Sequence, residues 1–318
     1  MVIQKKILFA GLDNSGKSSI ILSFQKKFSF MNSTPTMGLE RSNITTSSLL
    51  GLKFVAWDMG GQGRFRKRYL EKKYHMFTNT SVLFYIIDIT DSNRFKESLD
   101  YYLKILDNFI LLDENPQIVV CFHKNDPDIK EDPHILENIV FLSTKITAIS
   151  KKFSCSINQT SIHDISTIYK LFSEGVMKSS PVSQMISAQL KAYTKITSSL
   201  AVLILSNDML TIGNHSNHNH LLQICEKIGP RFLYTMSEIE ELKFSSQNLI
   251  LNVNYDIIEK NSSVNKHSAI LFMQSFDIPE GEVLNIVTLA KNTRTYQLSQ
   301  NYLPILASQI SNILNIST

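Results

Sequence analysis

Apolar runs of strand length punctuate the first half of the chain: Ile7–Ala10, Leu52–Trp57, Ser81–Asp88 and Gln117–Phe122. Leu52–Trp57 alternates apolar and polar positions, as a half-buried strand does; Ser81–Asp88 and Gln117–Phe122 are nearly continuous, as in strands covered on both faces. Between those two, Phe95, Leu99, Tyr102, Leu103, Leu106 and Phe109 recur at helical spacing and predict a helix over Arg94–Leu112. Ser18–Phe24 predicts a helix directly behind the first strand, and Lys152–Ile157 a short further strand. Strands alternating with amphipathic helices predict an α/β fold with a mostly parallel sheet. Ligands of such sheets bind beyond the C-terminal ends of the strands.

Around Lys178–Pro181 the pattern changes, which places a boundary between residues 1–179 and 180–318. Val182–Ile196 reads as a helix, Leu200–Leu205 as an apolar strand, and Asn207-Asp208 as a turn into a short strand over Met209–Gly213. His220–Lys227 reads as a helix, Asn248–Ile258, Ser268–Phe276 and Val283–Ala290 as strands, and 296–316 as a last helix. That order, helix, two strands, helix, three strands, helix, predicts an α+β sandwich of one sheet with helices.

Composition narrows the function classes. With 318 residues, 43% of them hydrophobic, the chain can build two cores. Net charge is +4, and the excess sits in the first 180 residues, which hold 23 basic and 18 acidic side chains. This is not the composition of a nucleic-acid-binding polycation. Cys121, Cys155 and Cys225 are too widely spaced for a disulfide framework or a zinc site, so a reduced, cytoplasmic protein is expected. No apolar run is long enough to span a bilayer, and Met1–Lys6 is too short for a signal peptide. Val2 stands where a myristoylation signal needs glycine, and no cysteine near Thr318 offers a prenylation site; a membrane would be reached only through a partner.

The chemistry lies in the loops after the strands. Gly11-Leu12-Asp13-Asn14-Ser15-Gly16-Lys17-Ser18 is G-x-x-x-x-G-K-S between a strand and a helix, the pattern of a phosphate-binding loop. Its amides can converge on phosphate oxygens with the helix dipole behind them, Lys17 adds charge, and the Ser18 hydroxyl can bind Mg2+. Asp58-Met59-Gly60-Gly61-Gln62 follows the Leu52–Trp57 strand. There Asp58 can hold Mg2+ through a water, the Gly61 amide can meet a terminal phosphate, and Gln62 can orient an attacking water. His123-Lys124-Asn125-Asp126 follows the Gln117–Phe122 strand; a carboxylate there can take two hydrogen bonds from a guanine edge, and the Lys124 stem can lie along the base. Thr160-Ser161-Ile162 could close over the base, and Thr36, in Pro35-Thr36-Met37-Gly38, could offer its hydroxyl to Mg2+ and its amide to the third phosphate.

Together, in this order, these loops resemble the five nucleotide loops of a small GTPase, over about residues 3–178. Gly-Leu-Asp, Pro-Thr-x-Gly and Trp-Asp-x-Gly-Gly-Gln are similar to the Arf form; His-Lys-x-Asp, Thr-Ser-Ile and the long C-terminal extension are similar to Rag GTPases. The tail resembles a roadblock/longin-like domain in element order. The resemblance implies a P-loop GTPase domain followed by a roadblock/longin-like dimerisation domain, binding GTP/GDP with Mg2+. It implies that Asp13, Asn14, Ser15, Gly16, Lys17, Ser18 and Ser19 hold the phosphates, with Lys17 and Gln62 catalytic. Ser18 and Thr36 would ligate Mg2+, with Asp58 acting through water, and Gly61 would sense the γ-phosphate. Lys124 and Asp126 would select guanine, in a pocket shared with His123 and closed by Ser161 and Ile162.

His123 stands where most small GTPases carry an Asn that tethers the base loop to the phosphate loop, which puts that tether in question. No Arg is placed as an internal finger, so slow hydrolysis is expected, raised by an activating protein. The implied role is a Rag-type switch, homo- or heterodimeric through its tail, served by activating and exchange proteins and read by an effector at the Thr36 and Gln62 loops. It would signal nutrient status at an endomembrane such as lysosome or vacuole. An Arf-like trafficking role, or a nucleotide-bound scaffold with little turnover, stays open; an ATPase is disfavoured by Asp126.

Two further stretches carry competing readings. Arg64, Arg66, Lys67, Arg68, Lys72 and Lys73 form either a surface for an acidic partner or membrane, or a solvated helix face. His215, His218 and His220 could suggest a metal site, but a polar loop is the preferred reading.

Overall fold

The computed structural model describes residues 3–25, 38–44, 52–243, 248–258, 264–278 and 282–317. They form two compact units divided between Ser179 and Ser180.

In the first unit, strands β1 (Ile3–Gly11), β2 (Leu39–Ile44), β3 (Leu52–Met59), β4 (Thr80–Asp88), β5 (Gln117–His123) and β6 (Cys155–Thr160) form one six-stranded sheet in the order β2-β3-β1-β4-β5-β6. Only the edge strand β2 is antiparallel to its neighbour. The central strands are apolar because helices cover both their faces. Leu8, Leu83, Tyr85, Val120 and Phe122 face helices α4 (Phe95–Leu111) and α5 (Pro133–Ile149). Phe9 and Phe84 face the other way, where Phe84 meets Phe172 of α6 (Ile165–Ser179), and Phe172 stacks on Phe24 of α1 (Lys17–Gln25) at 4.0 Å. Two short helices, α2 (Gly63–Glu71) and α3 (Lys73–Phe77), lie between β3 and β4.

The second unit runs α7 (Pro181–Thr197), β7 (Ala201–Leu205), β8 (Thr211–Ser216), α8 (Asn219–Glu241), β9 (Asn248–Ile258), β10 (Val264–Ile278), β11 (Glu282–Ala290) and α9 (Thr293–Ser317). Its five-stranded sheet has the order β8-β7-β11-β10-β9 and is antiparallel throughout. Leu203, Leu205, Met273 and Val287 pack with Leu221 and Cys225 of α8. On the opposite face, the hydroxyl of Tyr193 on α7 reaches Thr288 of β11, and Phe272 of β10 meets Tyr296 of α9.

Several boundaries differ from those the sequence suggests. Helix α8 does not stop at Lys227 but continues through Pro230 to Glu241. A proline there removes one intrahelical bond, yet Gly229 and Pro230 are buried, and Gly229 lies so close to the sheet that a Cβ would come within 3.0 Å of Leu205. Strand β8 starts at Thr211, not Met209, because Met209 is held in the turn, with φ +63° and its amide on the Ser206 carbonyl. Strand β6 starts at Cys155 because Phe153 is turned back onto Ser150. Strand β2 is polar, Leu-Glu-Arg-Ser-Asn-Ile, and as an edge strand needs no apolar run. Among the described residues, no helix is long and apolar enough to cross a membrane.

Candidate nucleotide-binding site

The loops after β1, β3, β5 and β6 all belong to C-terminal strand ends of one sheet, and they touch. Lys17, at the start of α1, is buried; its Nζ donates to the Leu12 carbonyl at 2.7 Å and lies 3.4 Å from Ser15 Oγ. Burial lowers its pKa to about 8, helped by repulsion from Arg66 and Arg94 and opposed by Asp58 and Asp13. Asn14 adopts φ +59° and Ser15 is buried, so the loop is bent tightly before the helix begins. Ser18 and Ser19, in the first turn of α1, are half-buried. Amides at such a helix start are the groups a phosphate takes. Asp13 is exposed, and its carboxylate and carbonyl both accept from Arg94, at 2.7 and 3.2 Å.

Ser18 Oγ donates to Asp58 Oδ2 at 2.5 Å, so two of the expected Mg2+ partners are adjacent. Both are hard oxygen donors, the chemistry that suits Mg2+, which keeps waters and takes phosphate oxygens in place of a protein cage. Thr36 lies outside the described residues. Gly38, two residues on, accepts at its carbonyl from the Gly60 amide at 2.9 Å, which brings β2 beside the Asp58–Gln62 loop.

Gly61 lies against the phosphate loop: a Cβ there would fall 2.1 Å from the Asp13 amide nitrogen. Gln62 precedes α2, and its Oε1 accepts from Arg64 Nε at 3.1 Å. The Gly60 amide also reaches the Tyr69 hydroxyl at 3.2 Å, a contact by which α2 is anchored to this loop.

His123 is buried, and its Nδ1 is 2.9 Å from Thr160 Oγ1. Its ring lies on Gly16: a Cβ there would sit 2.2 Å from His123 Cδ2 and 2.6 Å from Nε2. His123 therefore does link the base loop to the phosphate loop by packing on a glycine. Burial depresses its pKa to about 4, so the ring is neutral. Lys124 has φ +64°, a conformation rare outside glycine and concentrated at functional sites. Its Nζ meets Asp88 at 2.6 Å, a partner the sequence offered only as the last residue of an apolar strand. Asp126 accepts from Ser161 Oγ, and the Asn125 amide donates to Thr160 at 3.1 Å, so the two base loops are joined. Ser161 is buried and Ile162 half-buried.

Elsewhere, the basic stretch 64–73 occupies α2 and the start of α3; Tyr69 is buried, while Arg66 pairs with Glu97 from α4. His215 lies on β8, and the rings of His218 and His220 are 5.9 Å apart.

The fold and these loops define a P-loop protein of the GTP-binding class. The family model described as "Gtr1/RagA G protein conserved region" matches residues 6–231, and the chain belongs to that family. It is thus a GTP-binding switch protein and, in general terms, a GTPase. A solved structure titled "The Structure of the Mammalian SRP Receptor" is similar to it at 12% identity and a TM-score of 0.40, over 50% of this chain and 92% of its own.

Proposed function

We propose that this protein is a slow, Mg2+-dependent GTPase of the Rag type, a dimer through residues 180–318, and a reporter of nutrient status at an endomembrane reached through a partner. The observation that carries the nucleotide chemistry is the meeting of four strand-end loops, with His123 on Gly16, Ser161 on Asp126, Gly61 on Asp13, and Ser18 on Asp58.

The amides of Asn14 to Ser19 and the Lys17 ammonium take the phosphates. Ser18 and Thr36 would hold Mg2+, with Asp58 acting through a water; the ion would supply charge neutralisation on the phosphate oxygens. Gln62 orients the water, for which its Oε1 must exchange Arg64 for that water. The Gly61 amide meets the γ-phosphate, and loss of that phosphate on hydrolysis frees the α2 segment and the Thr36 loop. Asp126, oriented by Ser161, accepts from the guanine edge. The family match supports the Rag assignment, and the five-stranded sheet with helices on both faces supports a roadblock/longin-like tail for pairing.

A single-turnover assay with purified protein tests the reading. Phosphate release above background that disappears in Gln62→Leu is expected; tight GTP without turnover, even with cell extract, would favour a nucleotide-bound scaffold.

A further inference from the structure

Arg66, on the first turn of α2, is four residues beyond Gln62. Its side chain is only 14% exposed and its guanidinium stacks over Tyr101 at 5.2 Å. One terminal nitrogen meets Glu97 Oε1, and its Nε makes no hydrogen bond among the described residues. The second oxygen of that carboxylate, Oε2, accepts from Arg94 Nε at 3.2 Å. Arg94 then uses both terminal nitrogens on the phosphate loop, one on Asp13 Oδ1 at 2.7 Å and one on the Asp13 carbonyl at 3.2 Å. Asp13 immediately precedes Asn14, with its φ of +59°. The platform under Glu97 is fixed: the Tyr85 hydroxyl of β4 donates to the Ser98 carbonyl at 2.7 Å, and Phe95 is buried.

An isolated exposed ion pair contributes little. This arrangement differs, because one carboxylate is shared by two guanidinium groups, and one guanidinium grips a backbone and a side chain at once. Burial pushes the Asp13 carboxyl up, but the Arg94 bond and charge outweigh it and hold it low. The Glu97 carboxyl is held low in the same way by Arg66 and Arg94, so both carboxylates are charged at neutral pH.

We propose that Arg94 and Glu97 are positioning residues for the nucleotide: Glu97 joins helix α2 to Arg94, and Arg94 holds Asp13, so that displacement of the Gln62 segment reaches the phosphate loop through one shared carboxylate. This rests on the GTP-switch reading above. Helix α2 is the element that the γ-phosphate orders in that reading. Withdrawal of Arg66 leaves Glu97 to Arg94 alone, and the grip on Asp13 changes with the nucleotide state.

The test is the dissociation rate of fluorescent GDP and of a non-hydrolysable GTP analogue from the full chain. Arg94→Gln and Glu97→Gln are expected to speed GDP release by roughly five- to tenfold. Lys96→Gln, which removes an exposed charge from the same turn, is expected to leave it unchanged. Arg66→Gln should alter release of the GTP analogue more than release of GDP, and Arg66→Gln/Arg94→Gln should fall short of the product of the two single effects. Arg94→Lys, which keeps the charge but not the two-pronged grip, reads the same contact should Arg94→Gln fail to fold. Wild-type rates in Arg94→Lys and Glu97→Gln, or strictly multiplicative effects, would overturn the relay while leaving nucleotide binding intact. If the unsubstituted protein retains no guanine nucleotide, the proposed function falls and the relay with it.

Discussion

The imidazole of His123 rests on Gly16, so closely that any side chain at position 16 would occupy the ring's own space. Most small GTPases are expected to make this connection with an asparagine; here a neutral, buried ring wedged between Thr160 and the phosphate loop makes it. Gly16→Ala should therefore abolish nucleotide retention, since φ +90° and the 2.2 Å approach to His123 both exclude a Cβ. His123→Ala should speed GDP release by about tenfold, the equivalent of ~1.4 kcal/mol, measured by stopped-flow. Normal release in both variants would show that the packing carries no function.

The same histidine gives an acid limit to stability. Its folded pKa of about 4 lies below the ordinary value of 6.5. The unfolded chain thus binds more protons between those values, and stability contributed by His123 is lost as pH falls from 6.5 toward 4. Chemical denaturation midpoints of the wild type should drop more steeply over that range than those of His123→Gln.

Lys17 sets the opposite limit on binding. In the free protein its pKa is lowered to about 8, chiefly by burial, so above pH 8 the ammonium is lost. Bound phosphates favour the charged form and draw the proton back, so GTP affinity should decline as pH rises past about 8, with proton uptake visible as a buffer-dependent heat in calorimetry. Flat affinity from about pH 7 to about pH 9.5 would contradict this.

Gly61→Ala should fail to turn over GTP, because the added methyl would meet the Asp13 amide at 2.1 Å and force the Gln62 loop off the phosphate loop. The expected signature is nucleotide binding with single-turnover hydrolysis reduced by about a hundredfold or more, as for loss of a group acting only in the transition state.

Strands β1, β3, β4, β5 and β6 and helices α1 and α4 were legible in the sequence, because buried parallel strands write themselves as apolar runs and the loops that follow them carry recognisable spacing, whereas helices α5 and α6 were not expected. Polar β2 was not, since an edge strand lacks that signature, and α8 was cut short because Pro230 reads locally as a stop although burial against Leu205 and Val287 carries the helix past it. Helix α5 left a mark that could have been read, Asp132 capping the His134 amide before Pro133-led turns. Within the site, the roles expected for the phosphate, metal and base loops rest on their motifs, and Thr36 falls outside the described residues. The contacts of Arg94 with Asp13 could not be read at all: 81 positions separate them, and only the folded sheet brings the turn after β4 onto the phosphate loop.

The most direct measurement is equilibrium binding of stripped protein, with magnesium, to GTP, ATP and XTP, for the wild type and for Asp126→Asn. The account predicts that the wild type retains GTP and rejects ATP and XTP, and that Asp126→Asn exchanges GTP for XTP. Wild-type protein that retains none of the three, or an Asp126→Asn variant with undiminished GTP affinity, would contradict it.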